Sequence, residues 1–156
     1  MSANEYIAKL SLDDEGVRRR SPEAEHERTI AMTDLKHRNK FHAHCLECGP
    51  YDVKLGVREN RLVFAIHAME SERKADLVIP VLPLKQTIKD YFLICESYYE
   101  ALKQSGHARL ESIDMARRGI HNEGADMLQN MLKGRVTVDS DTARRLFTLI
   151  CVLHIK

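Results

Sequence analysis

The sequence carries almost no net charge: 24 lysines and arginines nearly cancel 23 aspartates and glutamates, leaving +1 with histidine neutral. A dedicated nucleic-acid binder takes its affinity from a basic face that releases counterions from the phosphate backbone, so this balance argues against nucleic acid as a partner and leaves room only for a local basic patch. Long apolar runs are missing too. The strongest, LVIPVLPL and LFTLICVLH, fall well short of the roughly 18 residues a membrane span needs. The start, MSANEYIAKLSLDDEG, lacks the apolar stretch of a secretory leader. These absences predict a soluble, cytoplasmic protein with no membrane partner.

Cysteine is scarce, at four residues, and without a secretory leader reduced thiols are the expectation. Cys95 and Cys151 sit in apolar helical patterns, FLIC and LIC, where a thiol acts as a small hydrophobe. Only Cys45 and Cys48 are left available for chemistry. No Walker loop, dinucleotide fingerprint, nucleophile elbow or zinc-protease helix occurs, and no long internal repeat, so no cofactor is named. Lack of motifs does not exclude an enzyme.

The 156 residues can bury about two thirds of the surface an unfolded chain exposes, which predicts a single α+β domain over 1–156 without disulfide or metal staples. Tyr6 to Leu12 alternates as a strand. Ser21 is placed as an N-cap, with Pro22 opening a helix that runs to about Arg38. NKFHAHCLECGP is a loop by composition, closed by the Gly49-Pro50 turn signal. Val53, Leu55 and Val57, the turn RENR, then Leu62, Phe64 and Ile66 make a hairpin of period two on both arms. Pro80 places the strand ADLVIPV at an edge or a bulge.

From Pro83 to Gly106 the period is helical, through Leu84, Ile88, Tyr91, Cys95, Tyr98, Tyr99 and Leu102. A helix from His107, with breaks considered at Gly119 and Gly124, ends at Gly134. Arg135 to Val138 is a short strand, and Ser140 or Asp141 caps a last helix that is apolar nearly all round. Such a helix must be buried, under the sheet or in a subunit interface. Runs of helix and strand without regular alternation predict a small, mainly antiparallel sheet packed against about four helices.

Two arginines fall on faces that should point inward. Ile113, Ile120, Met127 and Met131 form one stripe at 100° per residue with Arg117 inside it, His121 on its flank, Asn122 on the polar side and Glu123 near the far edge. In the first helix Ala24, Arg28, Ala31, Met32 and Leu35 form the stripe, with Glu25 one turn before Arg28. A guanidinium cannot shed its proton, so turning it inward demands anionic partners, and Glu25, Glu27 and Glu123 are available. Either a buried arginine network locks the helices, or the guanidiniums hold a phosphate or carboxylate in bidentate geometry. His26 and His121 are then candidate proton carriers, because histidine titrates near neutrality; with no partner identified, a plain surface or flank histidine is the favoured reading of each. Tyr91, Tyr98 and Tyr99 share one side of their helix, a spacing read first as packing. Arg144 and Arg145 open the last helix at the unfavourable end of its dipole, where Asp139 and Asp141 can answer them.

HAHCLEC brings His42, His44, Cys45 and Cys48 together, the ligand types of a tetrahedral zinc site, but crowds them into one loop rather than dividing them between two elements. A solvent loop is the better reading, and a redox pair is weaker still because no helix follows Cys48.

The stretches SPEAEHER, KDYFLICESYYEA, IDMARRGIHNEGADML and DTARRLFTLICVLH, within about Arg19 to His154, resemble the signature segments of a bacterial group, uncharacterised protein family 0262. The resemblance implies a bacterial cytoplasmic protein and transfers no activity, cofactor or partner. Its pattern covers Glu25, His26, Glu27 and Arg28, then Arg117, Arg118, His121, Asn122 and Glu123, then Arg144 and Arg145. HAHCLEC lies outside it.

The functional expectation is therefore a non-catalytic binding or regulatory module whose partner is a small anion or a protein. A small hydrolase or transferase on a phosphate- or carboxylate-bearing substrate is the alternative, with His121 or His26 moving protons. A homo-oligomer through the last helix is a third reading.

Overall fold

The structure, a computed structural model, describes residues 4–13, 21–104 and 106–154. In chain order it runs β1 (Ile7–Asp13), α1 (Pro22–His37), β2 (Phe41–Ala43), β3 (Tyr51–Arg58), β4 (Arg61–Ala68), β5 (Lys74–Pro80), α2 (Lys85–Gln104), α3 (His107–Leu132), β6 (Val136–Val138) and α4 (Ser140–Leu153). The fold is α+β: a four-stranded sheet in the order β1-β3-β4-β5, a two-stranded ribbon of β2 and β6, and four helices.

The hairpin forms as its alternation dictates. Val53 and Leu55 on β3 and Leu62, Phe64 and Ile66 on β4 turn into the core, and Glu59 and Asn60, both at positive φ (51° and 64°), make the two-residue turn whose twist suits antiparallel strands. β5 lies at an edge, and Pro80 is its last residue. β1 is the other edge and runs parallel to β3, the exception in an otherwise antiparallel sheet. Asn39 fastens it: its amide accepts from Ile7 N at 2.7 Å and donates to Ile7 O at 3.0 Å, much as a neighbouring strand would.

Three expectations change. Part of the segment read as a loop is strand: Phe41–Ala43 pairs antiparallel with Val136–Val138, followed by a 3-10 turn at residues 44–46. Three residues are too few to show a period, and the partner lies far along the chain. α3 is unbroken through Gly119 and Gly124, because Gly124 is where α4 packs closest and not where the helix stops. The α4 cap is Asp139, whose carboxylate accepts from Thr142 N at 3.0 Å. Ser21 and Pro22 open α1 as expected, with Ser21 Oγ accepting from Ala24 N at 3.1 Å.

The apolar α4 lies at the centre. Leu146 through Leu153 are all buried, against α1, α2, α3 and β3 of the same chain, which accounts for the helix's composition without a subunit interface. No helix among the described residues is long and apolar enough to cross a membrane.

Candidate functional site

The four helices meet around Arg117. From α3 its guanidinium donates to Asp114 Oδ1 at 2.8 Å, comes within 3.7 Å of Glu27 Oε1 on α1, and lies with Cζ 4.5 Å from the ring centroid of Tyr98 on α2. One side chain thus joins three helices through charge, hydrogen bond and cation–π contact. Glu27 is shared, since it also accepts from the Tyr99 hydroxyl at 2.9 Å. Burial works against the Arg117 charge, but the Asp114 hydrogen bond and the surrounding groups outweigh it, and its pKa rises.

His121 follows Arg117 by one helical turn. Its Nε2 lies 2.8 Å from Arg144 O and 2.8 Å from Thr148 Oγ1. A carbonyl oxygen can only accept, so Nε2 carries a proton, and in the neutral ring Nδ1 is left bare. The imidazole packs on Tyr91, ring centroids 5.3 Å apart, and burial pulls its pKa below the ordinary 6.5.

α4 contributes two more guanidiniums. Arg144 pairs with Asp141 and donates to Asn122 Oδ1 at 3.3 Å, while Arg145 donates to Asp141 O at 3.0 Å and lies 3.3 Å from Asp34 Oδ2 of α1. These acids answer the positive charge at the start of α4. Arg117, Arg144, Arg145, His26 and His121, with Tyr91, Tyr98 and Tyr99, line one cleft of about 390 Å³ in which Glu27 and Asp34 are the carboxylates.

Several expected members stand elsewhere. The arginines are not buried: among the described residues no charged side chain is, and Arg117 retains 23% of its side-chain exposure. Arg28 is half-buried, joins no ion pair among the described residues and does not line the cleft, so the two inward-facing arginines do not form one network. A helical wheel gives the direction of a side chain but not what lies opposite it. Glu123 is exposed, and neither it nor Glu25 lines the cleft; the acids that meet Arg117 are Glu27 and Asp114. Asn122 and His26 are exposed at the rim.

Sequence reasoning missed Asp114, although its spacing of three from Arg117 was a signal for it. It also took as packing the tyrosines that line the cleft.

The HAHCLEC residues make ordinary contacts. His42 Nδ1 lies 3.5 Å from Glu5 Oε1 and 3.4 Å from the Tyr51 hydroxyl, His44 Nε2 lies 2.7 Å from Thr137 Oγ1, and Cys45 and Cys48 are exposed. Among the described residues no three His, Cys, Asp or Glu side chains are placed to hold a metal.

A family profile matches residues 4–156. The chain belongs to the Uncharacterised protein family (UPF0262). A UPF0262 protein of Brucella anthropi is 49% identical over 152 residues, covering 97% of this chain and 94% of its own. One from Brucella canis is 48% identical over the same length, and one from Roseobacter denitrificans 48% identical over 153 residues, covering 95% of this chain and 96% of its own. No solved structure matches.

Proposed function

We propose that this protein is a binding module whose interhelical cleft takes a small anionic ligand, a phosphate or carboxylate. One buried donor supports this reading. Arg117 Nε lacks a hydrogen-bond acceptor, and its residue lines the cleft. A buried donor without an acceptor costs about 1–3 kcal/mol, so oxygens of a bound anion would recover energy the empty site forgoes. Arg144 and Arg145 from α4 and Arg117 from α3 supply the charge.

Melting of the purified chain with inorganic phosphate, pyrophosphate and citrate tests it. An anion held at 100 times its Kd stabilises by about 2.7 kcal/mol, and Arg117→Lys should abolish the shift because an ammonium cannot reproduce the planar fork. If no anion moves the wild-type melting temperature while Arg117→Ala lowers it, the arginines only fasten helices together.

The alternative, a hydrolase or transferase, draws support from His121: an imidazole that burial keeps neutral, with Nδ1 bare, one turn from Arg117 in the same cleft. It requires turnover of a phosphate or carboxylate ester that is lost in His121→Gln; a panel of such esters left intact by the wild type removes it.

A further inference from the structure

The face that α1 turns to the arginine cleft runs Glu27, Ile30, Ala31 and Asp34, and that of α2 runs Tyr91, Tyr98, Tyr99 and Leu102, both at helical spacing. Each row carries one aliphatic side chain left open to solvent: Ile30 is 43% exposed and Leu102 51%. An exposed aliphatic residue standing alone needs no explanation. These two come from different helices and line one cleft.

The packing shows why they are uncovered. α1 packs chiefly on α4 and α2 chiefly on α3, so a gap opens between α1 and α2. Polar links cross it: the Tyr99 hydroxyl donates to Glu27 at 2.9 Å, and Arg117 reaches from α3 to both Glu27 and Tyr98. In the same cleft Arg117, Arg144 and Arg145 supply positive charge, and Arg117 Nε is buried without an acceptor. At about 390 Å³ the cleft falls within the range of small-molecule sites and is larger than a bare phosphate fills. An inorganic anion would answer the guanidiniums and leave Ile30 and Leu102 wet.

We propose that the cleft takes an amphiphilic anion, a single free molecule with a phosphate or carboxylate head at Arg117 and an apolar chain lying between Ile30 of α1 and Leu102 of α2. The head rests on the anion reading above; the apolar chain is the new element. Charge draws the head to the arginines, and removing the chain and the two aliphatic side chains from water together adds affinity that a small polar anion cannot gain.

Calorimetric titration of the full chain with methyl phosphate and hexyl phosphate, and with acetate and hexanoate as the carboxylate arm, tests this. Covering one methylene is worth about fourfold in affinity, so two covered methylenes already make the longer chain at least about tenfold tighter for the head group that binds. Ile30→Gln with Leu102→Gln, both at exposed helical positions that glutamine suits, should erase that gain and leave methyl phosphate and acetate unchanged. 1-Hexanol, the chain without the charge, should bind at least about tenfold more weakly than hexyl phosphate. Equal binding of short and long chains, or a gain that survives the double substitution, overturns the amphiphile and leaves the anion reading standing. Hexanol as tight as hexyl phosphate, or failure of every anion, overturns both.

Discussion

Gly124 of α3 and Phe147 of α4 are in such close contact that a β-carbon on Gly124 would lie 2.4 Å from Phe147 Cζ. Phe147 is fully buried, so its ring has nowhere to retreat. Gly119, five residues earlier, has nothing within 4 Å of the same ideal position. Glycine at 119 is therefore a plain helix cost, while glycine at 124 is what lets the two helices touch.

These two sites predict opposite outcomes for one substitution. Gly119→Ala should raise stability by about 0.5–1 kcal/mol, the usual gain of alanine over glycine inside a helix. Gly124→Ala should lower it by about 1–3 kcal/mol despite the same gain, because overpacking dominates. Urea unfolding midpoints of the two variants decide it, and equal shifts would mean the helices can slide apart freely.

His121 predicts a pH dependence. Burial holds its folded-state pKa below the ordinary 6.5, so the unfolded chain binds the proton more readily than the folded one. The stability this contributes is fully present above about pH 6.5 and is lost as pH falls toward and through the lowered value. Within that window the wild type should lose stability more steeply than His121→Gln, which keeps a donor for the Arg144 carbonyl, and below it the two profiles should run parallel. Parallel stability profiles of the two proteins would place the lost stability in other groups.

The four cysteines should divide in two. Cys45 and Cys48 are exposed, whereas burial pushes the Cys95 thiol up to about 11 and Cys151 well above its ordinary value. A colourless disulfide reagent that releases a coloured thiolate should titrate two thiols quickly in the native protein and the other two only after unfolding. Rapid reaction of all four would mean that α2 and α4 part readily.

The local part of this fold was legible in the sequence. The hairpin showed because Val53, Leu55, Leu62, Phe64 and Ile66 keep period two, and the start of α1 showed because Ser21 and Pro22 act within one turn. β2 and β6 were opaque, being three residues each and defined only by pairing with each other. Within the site, Arg117 stood out as a charge on an apolar face. Glu27 was one of three acids available to it, but which of them meets it, and that Tyr98 does too, was not legible, because both arrive from other helices and only packing brings them near. Arg28 carried the same signal and meets no acid among the described residues. Two identical patterns thus led to different surroundings.

α4 is the last helix in chain order and also the one the others enclose. A ribosome therefore delivers α1, α2, α3 and the sheet before the piece that fills the space between them. Until it arrives, Leu35, Leu128 and Phe64 have no complete interior to join. Removing even the final turns of α4 would strip the centre of the molecule and not its margin.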